Sequence, residues 1–139
     1  GIGAALKLCK PEIKVVGVEP ELANDAQLSF RRGEIVALPI EQTRETVADG
    51  MRATQVGNIT FRYIREYVDD IVTVAEDEIR AGVRELALGS RLVVEPSGAV
   101  TAAALFKRRD ELPAAQTVVA VLSGGNIEPG MLADILVDS

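Results

Sequence analysis

The sequence predicts an α/β domain: a parallel sheet with helices on both faces, in three layers. Three observations carry that expectation. Short apolar runs rich in β-branched residues recur at 13–18, 70–74 (DIVTV), 92–94 and 117–122 (TVVAVL). Their apolar residues are nearly continuous rather than alternating, as in strands covered on both faces. Between them lie stretches with helical periodicity, and strands alternating with helices of roughly 10–14 residues imply right-handed βαβ units.

The elements follow in chain order. Residues 1–8 read as the end of a helix with no capping residue before it. Pro11 stops it by removing a backbone donor and restricting Lys10. The start is expected to lie inside a longer protein. Residues 13–18 form a first buried strand, ended by Glu19-Pro20. A helix covers 23–32, with Gly33 as its C-terminal cap. Residues 34–57 show no clear period and read as mostly loop. Asn58 or Thr60 caps the next helix, on which Ile64, Tyr67 and Val68 share a face. The second strand, 70–74, leads into a helix whose first turn carries Glu76, Asp77 and Glu78 at the favourable end of the dipole. Ile79, Val83 and Leu86 fall on one face of that helix. Ala75 before it is a poor cap, costing ~1 kcal/mol relative to Ser. Residues 92–94 are a third strand, ended by Glu95-Pro96. Ser97-Gly98 opens an Ala-rich helix that closes on Lys107, Arg108 and Arg109, the correct charge for a C-terminus. The clearest buried strand, 117–122, runs into Ser123-Gly124-Gly125-Asn126. Met131, Leu132, Ile135 and Leu136 then recur at helical spacing.

Composition narrows the chemistry. The chain has 139 residues, one domain or a large piece of one. With 47% apolar and 26% charged residues it is neither disordered nor collagen-like. A net charge of −6 repels phosphate backbones and argues against nucleic acid. No apolar run approaches a membrane span of ~20 residues. Cys9 is the only cysteine, which excludes a disulfide framework and cysteine-based zinc sites and points to a reducing, cytoplasmic compartment. There is no histidine, so His-based acid–base chemistry and His-ligated metals are excluded. Lysines number four: Lys7, Lys10, Lys14 and Lys107.

In open parallel sheets ligands sit at the carboxyl ends of strands. Four polar clusters fall near such ends. Glu19 and Asp25, with a backbone carbonyl such as that of Ala23 between them, could converge on a hard cation, although spacing alone favours a strand-ending acid and a helix-capping Asn or Asp. Asp49-Gly50 brings backbone against a ligand, or simply turns. Glu95 before Pro96, Ser97 and Gly98 lets a planar ligand approach closely, or opens a helix. Ser123-Gly124-Gly125-Asn126 combines close approach with hydrogen-bonding groups and is the most specific of the four.

The order of these clusters carries a resemblance. Residues 14–20 (KVVGVEP), 46–50 (TVADG), 69–79 (DDIVTVAEDEI), 92–98 (LVVEPSG) and 122–127 (LSGGNI) together resemble the C-terminal half of the threonine/serine dehydratase and serine racemase family. These are pyridoxal-phosphate enzymes of fold type II, related to the tryptophan synthase β-subunit. The resemblance implies that residues 1–139 are the C-terminal part of the large cofactor-binding domain. It implies that the Ser123 hydroxyl hydrogen-bonds the pyridine nitrogen, giving a milder electron sink than an Asp there. Gly124 and Asn126 belong to the same cofactor loop, and Glu95 packs beside the ring. It implies that the Gly50 carbonyl faces the cofactor's Schiff base, with Asp49 near the substrate's reacting side. Glu19, the Ala23 carbonyl and Asp25 match a divalent-cation site for Mg²⁺ or Ca²⁺. The family's Schiff-base Lys and its tetraglycine phosphate loop match nothing in this sequence, so the N-terminal half that carries them is the expected partner, and this chain alone is expected to be inactive. The implied reaction is dehydration of L-threonine or L-serine, a small amino-acid substrate, to a 2-oxoacid and ammonia by a homo-oligomeric enzyme. The alternatives are serine racemase, a related β-hydroxy-amino-acid dehydratase, or a non-catalytic isolated domain.

Overall fold

A computed structural model describes residues 1–137. In chain order the helices are α1 (Ile2–Cys9), α2 (Asp25–Arg32), α3 (Ile40–Thr43), α4 (Asn58–Tyr67), α5 (Glu76–Glu85), α6 (Pro96–Lys107) and α7 (Pro129–Val137). The strands β1 (Val16–Pro20) and β2 (Asp70–Val74) pair in parallel, from Val16 opposite Asp70 to Pro20 opposite Val74.

This βαβ unit positions everything else. Val72 and Val74 pack with Ile79, Val100, Ala103 and Ala104, so α5 and α6 cover that face. Ile71, on the opposite parity, is also buried, and α2 covers its side with α4 packed against α2. Three layers result, as the sequence predicts. The Ala-rich composition of α6 has a packing reason. Seven of its residues are buried, against the sheet on one side and against α5 and α7 on the other, and small side chains allow that approach. A Cβ added at Gly82 of α5 would lie 3.1 Å from the Ala103 Cβ. Val83, Leu86, Val94, Ala99 and Ile135 form a second core that anchors α7. Burying Ile79 or Val83 completely contributes roughly 1.5–3 kcal/mol each.

Several local expectations hold. Gly33 caps α2 in the left-handed region at φ 77°. Ala75 does stand at the N-cap of α5, and Glu78 reaches back to accept its N–H at 2.8 Å, offsetting the missing capping side chain. Arg108, read as a helix-terminal charge, instead ties three segments together by ion pairs to Glu78, Glu21 and Glu111.

Others are corrected. The first strand begins at Val16, because Val15 is occupied by Asp69: its N–H donates to Asp69 Oδ2 and its carbonyl accepts the Asp69 N–H. Gly57, rather than Asn58 or Thr60, is the N-cap of α4. The stretch 34–57 holds α3 and a 3₁₀ turn at Asp49–Met51. Residues 92–94 and 117–122 are not in a sheet. Val93 is 57% and Val119 82% exposed. A strand buried on both faces needs ladder partners and a layer on each side, and among the described residues the only ladder is β1–β2. No helix among the described residues is long and apolar enough to cross a membrane.

Candidate active site

Three segments distant in sequence meet at the start of α6. The first is the loop 46–51. Its root is fixed by two fully buried residues, Thr46 and Ala48. The Arg52 guanidinium donates twice to the Thr46 carbonyl, at 2.8 and 3.2 Å, and the Val47 N–H donates to Glu76 Oε2 at 2.6 Å. That anchoring presents Asp49 and Gly50 at the surface. The Gly50 N–H donates to Ser97 Oγ and to Asp49 Oδ1, both at 2.9 Å, and the Ser97 hydroxyl lies 3.5 Å from the same Asp49 oxygen.

The second and third segments are Glu95–Gly98 and Ser123–Asn126, held together by backbone contacts. The Glu95 N–H donates to the Gly124 carbonyl at 3.0 Å, and the Asn126 N–H donates to Glu95 Oε2 at 2.9 Å. Glycine is required here for proximity rather than for unusual dihedrals. A Cβ at Gly124 would fall on the Glu95 carboxylate, one at Gly98 would come 2.8 Å from the Gly124 carbonyl oxygen, and one at Gly50 would sit 3.0 Å from Ser97 Oγ. Ser123 is exposed at the edge of this cluster. Thus Asp49, Gly50, Glu95, Ser123, Gly124 and Asn126 are all brought into one group of segments.

Two contributors escaped the sequence reading. Ser97 reads as a helix-opening residue, but its hydroxyl pins the Gly50 amide. Glu76 reads as an acid near a helix dipole, but it holds the Asp49–Gly50 loop from 29 residues away. Its Oε1 is buried without a hydrogen-bond partner. Nothing in local spacing signals either contact, because both cross between elements.

Glu19, Ala23 and Asp25 form a separate group at the carboxyl end of β1. Glu19 accepts the amides of Ala26 and Gln27 at 3.2 and 2.7 Å, at the start of α2. Burial pushes its carboxyl up to about 7, against the pull of those two amides, and the Asp25 charge adds to the rise. Asp25 is 3% exposed, its carboxyl is also pushed up by burial, and its Oδ2 has no partner. Among the described residues no three His, Cys, Asp or Glu side chains are grouped to hold a metal.

All four lysines are committed elsewhere. Lys7 and Lys14 pair with Asp69, Lys10 with Glu12, and Lys107 with Glu85. None lies in the Gly50–Glu95–Gly124 cluster.

A family model described as "Pyridoxal-phosphate dependent enzyme" matches residues 1–124. The L-threonine dehydratase catabolic TdcB of Escherichia coli K12 is 38% identical over 136 residues, 97% of this chain and 40% of that protein. A serine racemase of Schizosaccharomyces pombe is also 38% identical, over 92% of this chain and 38% of its own length. The crystal structure of a threonine deaminase from T.th. superposes with a TM-score of 0.84 at 41% identity, covering 91% of this chain and 45% of the other. The chain thus spans about two-fifths of the length of the curated relatives it matches.

Proposed function

The chain belongs to the pyridoxal-phosphate dependent enzymes, and from that premise we propose that a protein carrying it dehydrates L-threonine or L-serine to a 2-oxoacid and ammonia. The observation that carries the reading is the meeting of loop 46–51, Glu95–Gly98 and Ser123–Asn126 in one place, with glycines at the points where backbone and carboxylate touch.

The donor set suits one side of the cofactor's ring. The exposed Ser123 hydroxyl supplies a neutral partner for the ring nitrogen, which it leaves unprotonated. Gly124 and Asn126 form the loop beside it. Glu95, held by the Asn126 amide, would stand beside the ring, with the Gly50 carbonyl toward the cofactor's Schiff base and Asp49 toward the substrate's reacting side. Ser97 keeps that end in place by fixing the Gly50 amide. When bound, pyridoxal phosphate supplies the electron-withdrawing ring that acidifies the substrate's Cα–H. The chain has no lysine at this cluster, so in this reading residues 1–139 are the C-terminal part of the large cofactor-binding domain and are inactive alone. The attaching lysine and the phosphate loop come from an N-terminal half, and the enzyme works in the cytoplasm.

The same reading assigns Mg²⁺ or Ca²⁺ to Glu19, Asp25 and the Ala23 carbonyl. What supports it is that half-buried Glu19 and buried Asp25 sit together, the latter with an oxygen, Oδ2, that has no hydrogen-bond partner.

The equal identity to a serine racemase keeps that activity beside the dehydratase, since the same residues serve both. The test is a full-length enzyme carrying this sequence, loaded with pyridoxal phosphate and given L-threonine and L-serine separately. Formation of 2-oxobutyrate and pyruvate supports the dehydratase. D-serine as the main product selects the racemase. No conversion of any β-hydroxy amino acid overturns both.

A further inference from the structure

We propose that the cleft between the last turn of α5 and the last turn of α6 is a binding site for a small aliphatic carboxylate, anchored by the Arg84 guanidinium. The cleft has a volume of about 460 Å³ and is lined by Ala81, Arg84, Glu85, Leu88, Gly89 and Lys107. None of the six belongs to the Gly50–Glu95–Gly124 cluster. That cluster meets at the start of α6, and roughly 17 Å of helix separates Pro96 from Lys107 at its other end.

Three features point to that ligand. The first is charge. Lys107 Nζ lies 2.6 Å from Glu85 Oε1, so these two neutralise one another and Arg84 leaves the lining net positive, in a chain of net charge −6. The second is the guanidinium itself. Arg84 is half-buried, its Nε is buried without a hydrogen-bond partner, and its side chain makes no ion pair among the described residues. Unmet N–H groups withdrawn from water are costly until an anionic oxygen accepts from them, and a carboxylate matches the guanidinium fork with two parallel bonds. The third is the rest of the lining. Ala81 and Leu88 are apolar and Gly89 has no side chain, which suits an aliphatic body behind the anionic head. The backbone is bent to make this wall. α5 runs on into a π turn, Leu86–Ser90, that carries Leu88 and Gly89 to the cleft. Arg91 ends it in the left-handed region at φ 59°, alone among the described non-glycine residues, a conformation that disfavours any side chain. Such turns and strained residues concentrate where helices serve a site.

The other classes of small ligand fit less well. A cation would find Glu85 as its one carboxylate, already paired with Lys107. A bare inorganic anion would satisfy Arg84 but leave the apolar wall unused. The inference requires neither pyridoxal phosphate nor the proposed dehydration, so either can fail without the other.

The experiment titrates a full-length enzyme carrying this sequence, without substrate, with sodium butyrate as the probe and ligand-observed NMR as the readout. Saturable binding is expected. Arg84→Gln should weaken it at least ~10-fold, the loss of a bidentate charged pair. Because Arg84 has no hydrogen-bond partner at Nε to lose, the variant should melt no lower than the parent, which separates loss of the ligand from loss of the fold. Gly89→Leu is the second variant. A Cβ at Gly89 meets nothing within 4 Å, so the fold accepts the side chain while the cleft narrows, and butyrate should again weaken. n-Butylamine, of the same length and opposite charge, should not bind. No saturable binding to the parent, binding unchanged by either substitution, or equal binding of butylamine overturns the proposal. Inorganic phosphate binding more tightly than butyrate also overturns it, giving the cleft to an inorganic anion.

Discussion

Gly124→Ala isolates the contact that holds the two halves of the candidate site together. Among the described residues Gly33 is the only glycine with positive φ, so the backbone at Gly124 accepts Ala. Sterics do not: the new Cβ would fall on the Glu95 carboxylate. That carboxylate is held by the Asn126 N–H at 2.9 Å, and the backbones are fixed by the Glu95 N–H on the Gly124 carbonyl. Swinging Glu95 away forfeits a hydrogen bond to a charged acceptor, ~1.5–3 kcal/mol when ordered. Partial exposure puts it at the low end, and shifting the surrounding atoms adds ~1 kcal/mol. The lower entropy of an unfolded chain with Ala returns ~0.5 kcal/mol. The expected loss is therefore ~2 kcal/mol, read from urea unfolding of the 139-residue chain. A double-mutant cycle tests the cause. Glu95→Ala alone should cost ~1 kcal/mol, because water can reach the Asn126 amide. In that background Gly124→Ala should be neutral or slightly stabilising, since nothing remains to collide with. Additive costs, or a neutral Gly124→Ala with Glu95 intact, would refute the argument.

Four further outcomes follow from other parts of the structure. Glu19 titrates near 7 in the folded chain against an ordinary 4.5, so folding takes up a proton; the resulting stability is complete below about 4.5 and is lost as pH rises through 7. Unfolding midpoints should fall across that window by the equivalent of ~2 kcal/mol, after discounting for solvent access, and Glu19→Gln should flatten the profile; a profile that is already flat in the parent removes the premise. Asp69 runs the other way: burial raises its carboxyl, but the Lys7, Val15 and Lys14 hydrogen bonds outweigh this and bring it to about 2. Its contribution should therefore vanish only as pH drops from about 4 toward 2, and Asp69→Asn should remove that acid limb of the stability curve. Mg²⁺ or Ca²⁺ at millimolar concentration should raise the melting temperature, reversibly with chelator, and Asp25→Asn should abolish the response; a response unchanged in the variant would exclude the site. Gly33→Ala should cost ~1 kcal/mol by thermal unfolding because φ 77° strains any side chain, whereas equal stability would mean the α2 cap relaxes.

How far the sequence could be read depended on how local each signal was. Residues 70–74 and the caps of α2 and α5 were legible because β-branching, a left-handed Gly33 and the acids 76–78 act within a few residues. The site segments were legible as an order of motifs, and the structure joins three of them at α6 through contacts such as Gly50–Ser97. Glu76 and Ser97 were not legible as site residues, because their partners lie 29 and 47 residues away. The segment 117–122 teaches a different lesson. Its composition describes the environment in which a strand is stable, and this stretch of chain supplies that environment only in part. Val119, 82% exposed beside an apolar groove, shows how far the described residues fall short of that environment. The same logic covers the active-site cluster. Ser123 stands at the surface, and the four lysines are tied to Asp69, Glu12 and Glu85; under the proposed function the chain would offer one wall of the site and leave the lysine to another segment.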